Sequence, residues 1–230
     1  MKNLGYYNGT IDLIENITVP MNDRACYFGD GLFEVTYTRN HIAYSVEEHM
    51  DRMYAAAEEL VKALLRYGTA AQSYFGENTD APADAILDEG DRALGEHKDG
   101  IDGLASFTCT GNVTGVEYVS TTLELRDGTT MYHYFTVTEG VEYTVTCATA
   151  MLDCALVDGR VAIKVLDIDA ANLATTYTLT LANGAETLTV SANAFAYARA
   201  VLASESASPA LKTLMNALYE YYAAAAAYNA

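Results

Sequence analysis

SVEEHMDRMYAAAEELVKALLRYGTAAQSYF, residues 45–75, decides the fold, because it carries the longest unbroken helical period in the chain. Ser45 followed by Glu48 has the form of a capping box. Val46, Met50, Met53, Ala57, Leu60, Leu64, Tyr67, Ala71 and Tyr74 then repeat at alternating spacings of four and three. That spacing puts one apolar stripe along a helix of about 45 Å, at about 1.5 Å per residue. A stripe of that length needs a packing partner, since propensity alone rarely holds a helix together in water.

Outward from this helix the chain changes character on both sides. Toward the N-terminus, YYNGTIDLI carries an Asn-Gly pair at Asn8 and Gly9 and predicts a hairpin of two short strands. Leu32–Thr38 and Ile42–Tyr44 read as two further strands, so residues 1–45 are expected to form a small β unit and residues 46–76 the connecting helix. Toward the C-terminus, residues 77–103 are polar and dotted with glycine, and are expected to be a linker with room for helical turns around Pro82–Leu87 and Arg92–Leu94.

From Leu104 the period becomes two. LASFTCT, VEYVSTTLEL, TTMYHYFTV, VEYTVTCAT, RVAIKVLDI, TYTLTLA and ETLTVSA are divided by turn sequences such as RDG, TEG, VDG and ANG. Seven short strands over 104–191 predict a β-sandwich of immunoglobulin or fibronectin type, with Leu173 and Tyr177 placed as in a tyrosine corner. Residues 192–230 predict two helices, the second capped by Ser208 with Pro209 in its first turn. Its apolar residues Leu211, Leu214, Met215, Leu218, Tyr221 and Tyr222 supply the partner for the second half of the long helix, packed antiparallel. The fold class expected is α+β.

Composition narrows the function. Thirteen Lys and Arg against 31 Asp and Glu give a formal charge of −18 in 230 residues, which opposes binding to nucleic acid or to an anionic membrane surface. No run has the length of a membrane span and the first residues lack a signal-peptide core, so the chain as written is expected in the cytoplasm. Cys26, Cys109, Cys147 and Cys154 lack CxxC spacing, and His41, His49, His97 and His133 are scattered, so no metal site is expected. Cys147 and Cys154 would pair only in an oxidising compartment.

Two resemblances divide the chain. The motifs NDRACYFGDGLFEVTYTRN and EEHMDRM, within residues 6–60, resemble the start of the fold-type IV pyridoxal-phosphate aminotransferases, the class of the D-amino-acid and branched-chain enzymes. That resemblance implies that His49 and Arg52 lie on the cofactor phosphate side, which suits a guanidinium fork, and that Phe33 lies on the substrate side. It also calls for a Schiff-base lysine on a second domain; Lys164 lies at a suitable distance along the chain, but within an alternating strand, RVAIKVLDI, where it is expected to face solvent. From about Leu60 onward, LVKALLRYGTAAQSYFGENTD, DIDAANLATTYTLTL, SANAFAYARAVL and LKTLMNALYEYYAAAAAY resemble a C-terminal module of secreted or cell-surface proteins of Gram-positive gut anaerobes.

The combined reading is chimera-like. It expects a non-catalytic structural or interaction module fused to an incomplete aminotransferase start, with no cofactor and with an unknown protein or cell-wall component as partner. The alternative is a degenerate class IV aminotransferase that uses pyridoxal phosphate, with Lys164 as its catalytic residue.

Overall fold

The computed structural model describes residues 4–7, 10–13, 16, 38–39, 42–43, 46–126, 128–148 and 150–228; of 4–7, 10–11, 38–39, 42–43, 46–50 and 53 it describes the backbone. The chain divides into two compact units, Met1–Ala57 and Glu58–Ala230. In the first, β1 (Leu4–Tyr7) pairs antiparallel with β2 (Thr10–Leu13), with Tyr7 opposite Thr10 across the Asn-Gly position. A shorter pair, β3 (Thr38–Arg39) and β4 (Ile42–Ala43), follows; the expected strand over Leu32–Thr38 lies outside the described residues except at Thr38. Helix α1 runs from Val46 to Phe75, as its periodicity predicts, and ends where the Glu77 N–H bonds to the Gln72 carbonyl beside Gly76.

In the second unit the polar segment after α1 folds back along the helix. The Gln72 side chain donates to the Ala81 carbonyl and accepts from the Ala83 N–H; Thr69 Oγ1 accepts from the Asp84 N–H at 2.9 Å. Arg66 Nη1 donates to the Asp91 carbonyl, and Lys62 Nζ reaches the Asp91 carboxylate at 3.1 Å. Lys62, Arg66, Thr69 and Gln72 therefore form a second stripe on α1, a polar one, that straps residues 81–91 to it. Within the strap lie two short 3-10 turns, Ala83–Ile86 and Glu89–Arg92. Beyond it, α2 (Lys98–Leu104) drives Ile101 into the core at 0% exposure.

Eight strands follow: β5 (Phe107–Asn112), β6 (Val116–Glu124), β7 (Thr130–Val137), β8 (Thr144–Cys147), β9 (Leu152–Val157), β10 (Arg160–Val165), β11 (Tyr177–Asn183) and β12 (Glu186–Ala192). They form two open antiparallel sheets, ordered β6-β7-β10-β9 and β5-β12-β11-β8. The expectation of seven strands is thereby corrected to eight. The strand that sequence reading passed over is β9, LDCALV, which turns into β10 through Asp158-Gly159, both at positive φ (49° and 76°). An Asp-Gly pair in that conformation is a two-residue hairpin turn, and it requires a strand on each side.

Met131 and Phe135 on β7, Ile163 and Val165 on β10, Leu179 and Leu181 on β11, and Leu188 and Val190 on β12 join one apolar cluster with helical residues. Helix α3 (Ala194–Ala203) contributes Phe195, and α4 (Pro209–Tyr228) contributes Leu214, Met215 and Leu218, all at 0–1% exposure. The Ser208 hydroxyl caps α4 by accepting from the Leu211 N–H. Tyr67 of α1 stacks on Tyr221 of α4 at 5.5 Å, so the last helix meets the second half of α1. Leu173 and Tyr177 are both buried beside the start of β11.

Asn193 joins these layers. At 1% exposure it caps α3, its Oδ1 accepting from the Ala196 and Ser106 N–H groups, while its Nδ2 donates to the Leu104 and Ala174 carbonyls. All four hydrogen-bonding positions of this buried amide are filled.

Candidate functional site

Arg52 lies on α1 in the first unit with an exposed side chain. His49 is on the same helix; its side chain, and Phe33 altogether, lie outside the described residues.

Lys164 lies on β10 between Ile163 and Val165, both fully buried, so alternation places it on the outer face of its sheet. Register sets it between Tyr132 of β7 and Asp153 of β9. Its Nζ is 2.8 Å from Asp153 Oδ2 and 5.7 Å from the centroid of the Tyr132 ring, which lies near-parallel to Tyr134 at 6.0 Å. The hydrogen bond to Asp153 holds the lysine pKa above its usual value, and the same bond holds the Asp153 carboxyl below its own. Chemically this is a held ammonium, a cation on an aromatic and hydroxylated surface.

A denser polar cluster ties α4 to α1 and to the chain before α2. Glu220, with its side chain 15% exposed, accepts from Arg66 Nε at 2.8 Å and from the Gly95 N–H at 3.0 Å, and lies 2.7 Å from His97 Nε2. The His97 N–H donates to Asn216 Oδ1, and the His97 ring stacks on Tyr219 at 4.8 Å. Burial by itself would raise the Glu220 pKa, but the contacts with His97, Gly95 and Arg66 outweigh it and hold the carboxyl below its ordinary value. Every oxygen of Glu220 is committed to a contact within the chain, which makes it a clasp.

The third cluster is inside the sheets. His133 on β7 is at 0% exposure; its Nδ1 is 2.8 Å from Thr121 Oγ1, which is in turn 2.8 Å from the Tyr118 hydroxyl, while Nε2 has no hydrogen-bond partner. Burial pushes its pKa down to about 4, so the ring is neutral near pH 7.

Among the described residues no three His, Cys, Asp or Glu side chains gather as a metal site, and Cys109, Cys147 and Cys154 are free thiols. No helix of the described chain is long and apolar enough to cross a membrane. An open groove of about 590 Å³ runs beside β8, lined by Val141–Thr144 and Ala182–Gly184.

Sequence reasoning missed Asn193 and Glu220. Asn193 had a signal, since an Asn directly before the apolar run AFAYARAVLA is a favoured N-cap. Glu220 had a fainter one: it is the single acidic residue of α4, in YEYYAAAAAY, and an isolated charge in so apolar a helix needs a partner.

No family model and no solved structure matches the chain. Over 46 residues toward its N-terminus the chain is 41% identical to D-alanine aminotransferases of Listeria monocytogenes, those of serotype 1/2a (strain 10403S) and serotype 4b (strain F2365) among them. The match covers 20% of this chain and 16% of each of those proteins, so the chain spans about a sixth of the length of the curated relatives it matches. What it shares with them is a short stretch that is similar to part of a D-alanine aminotransferase.

Proposed function

We propose that the chain is a non-catalytic structural or interaction module, of the kind carried by secreted or cell-surface proteins, joined to an incomplete aminotransferase-like start. The observation that carries this reading is the state of Lys164. A Schiff-base lysine must present a neutral amine to a carbonyl, whereas Lys164 is paired with Asp153 at 2.8 Å and its pKa is raised by that bond. Its surroundings favour the ammonium and so do not fit the lysine of a pyridoxal-phosphate enzyme. The two sheets, which share one apolar core with the helices and are joined to α3 through Asn193, are consistent with an immunoglobulin-like sandwich that serves as a scaffold. The partner of such a module would be a protein or a cell-wall component.

A second reading rests on the 46-residue likeness to D-alanine aminotransferase. In it Arg52 and His49 hold the phosphate of pyridoxal phosphate, Phe33 lines the substrate side, and Lys164 is the reactive amine. Incubation with pyridoxal phosphate followed by borohydride reduction and peptide mass spectrometry separates the two. The expected result is no pyridoxyl adduct on Lys164; an adduct there, lost in Lys164→Ala, overturns the non-catalytic reading. Co-sedimentation with purified Gram-positive cell walls tests the surface role, and failure to bind walls or their proteins counts against it.

A further inference from the structure

Asn8-Gly9 and Asn183-Gly184 are the two Asn-Gly pairs of the sequence, and the second lies in the described structure at the turn between β11 and β12. Asn183 pairs with Glu186 as the last rung of the ladder, so Gly184 and Ala185 form a two-residue hairpin loop. Gly184 is at φ 58° as its first central residue, the place that a II′ turn reserves for glycine. Residues 183–186 are all exposed, and Asn183 and Gly184 border the open groove beside β8, so water reaches both.

An asparagine side chain holds its amide carbon within reach of the next backbone nitrogen, and the reaction between them is intramolecular. When the nitrogen of Gly184 loses its proton to solvent, it attacks Asn183 Cγ; the former side-chain nitrogen leaves as ammonia and a five-membered succinimide closes. Water then opens the ring. Breaking the bond to Cγ gives aspartate, and breaking the bond to the backbone carbonyl carbon gives isoaspartate, whose chain runs through Cβ and is one carbon longer. Glycine favours the closure because it has no side chain to obstruct the nitrogen and because its backbone turns freely. The other described asparagines of the unit Glu58–Ala230 lack these conditions. Asn78, Asn112 and Asn172 precede Thr79, Val113 and Leu173, whose side chains crowd the nitrogen. Asn216 is held inside α4, and Asn193 is buried with every position of its amide hydrogen-bonded.

We propose that Asn183 is a self-modification site: it deamidates through the Gly184 nitrogen, and its isoaspartyl product releases a clamp between two turns. The clamp is Glu186. Its carboxylate accepts from the Thr114 N–H at 2.7 Å and from the Thr114 hydroxyl at 2.8 Å, which ties the β11–β12 turn to the turn between β5 and β6. Hairpin register is set by turn type and loop length. One extra backbone carbon at position 183 therefore displaces the Asn183–Glu186 rung and, with it, the carboxylate that holds Thr114. Both products also add a carboxylate to a groove lining that already includes Glu142. The ammonia is lost to solvent, so the step runs one way and the fraction converted records the age of the chain.

The test is peptide mass spectrometry of the full chain after timed incubation at pH 6 and at pH 8.5, with chromatography that separates aspartyl from isoaspartyl forms. The Asn183 peptide should exchange its amide for a carboxyl at least tenfold faster than the peptides of Asn112, Asn193 and Asn216. Conversion should be faster at pH 8.5, where more of the attacking nitrogen is deprotonated, and isoaspartate should be among the products. Hydrogen exchange of the aged chain should be faster at the Thr114 amide than in the fresh chain. Asn183→Gln, whose longer side chain closes a ring far more slowly, should keep both its mass and its Thr114 protection through the same incubation. Conversion at Asn183 no faster than at Asn112, a product free of isoaspartate, Thr114 exchange unchanged in the aged chain, or an equal rise in aged Asn183→Gln would each overturn the proposal.

Discussion

His133 has the environment with the sharpest consequence for a single residue. Its ring is fully buried with Nε2 unpartnered, and burial lowers its pKa from the ordinary 6.5 to about 4. Between those values the unfolded chain takes up a proton that the folded chain refuses. The associated stability is therefore present above pH 6.5 and is lost as pH falls through about 4. Its size at neutral pH is of order 3 kcal/mol. His133→Leu should remove this step: urea unfolding at pH 7 and pH 4.5 should show the natural chain losing about 2 kcal/mol more than the variant. Equal losses in both would show that the histidine already finds a proton or a water in the fold. Because an orphaned buried nitrogen costs stability, the substitution should be near neutral at pH 7. The sequence could not display this environment, since a histidine in an alternating strand faces core or solvent according to register, and register depends on a partner strand far along the chain.

Among the elements, α1 shows what periodicity reveals and what it hides. Its apolar stripe is legible because neighbours three and four residues apart share a face. Its polar stripe of Lys62, Arg66, Thr69 and Gln72 was equally present, but polar residues on a helix look the same whether they bind water or a strap. The strap lies so close that a Cβ added at Gly68 would come within 2.9 Å of the Ala83 Cβ. Gly68→Ala should raise intrinsic helix stability by about 1 kcal/mol and yet displace the strap. Hydrogen exchange should then show faster exchange at the amides of Ala83 and Asp84, with protection restored by the added change Ala83→Gly. Unchanged exchange in the single variant would mean that the contact relaxes without loss. In the hairpin of β9 and β10 the Asp158-Gly159 turn is legible in the sequence, but LDCALV has few β-branched residues and becomes a strand through its pairing with β10.

For the whole molecule, the unit Glu58–Ala230 contains the two sheets, the strap, three helices, the second half of α1 and the core cluster, so it should fold without the first 57 residues. A fragment beginning at Glu58 should unfold in one cooperative calorimetric transition, within a few degrees of the main transition of the full chain. A broad transition, or none, would show that the core depends on the preceding segment. By itself the sequence determined the long helix, the change of period after Leu104, the cap at Ser208 and the formal charge of −18. All of these depend on composition or on residues within a few positions of one another. The tertiary structure alone decided the sheet order β5-β12-β11-β8, the four partners of Asn193, the ion pair of Lys164 with Asp153 and the clasp of Arg66 on Glu220, 154 residues apart. The physical reason is that a sequence exhibits donors, acceptors and apolar faces but not which of them meet. Those meetings are selected by the whole packed arrangement, in which each buried polar group must be satisfied at once.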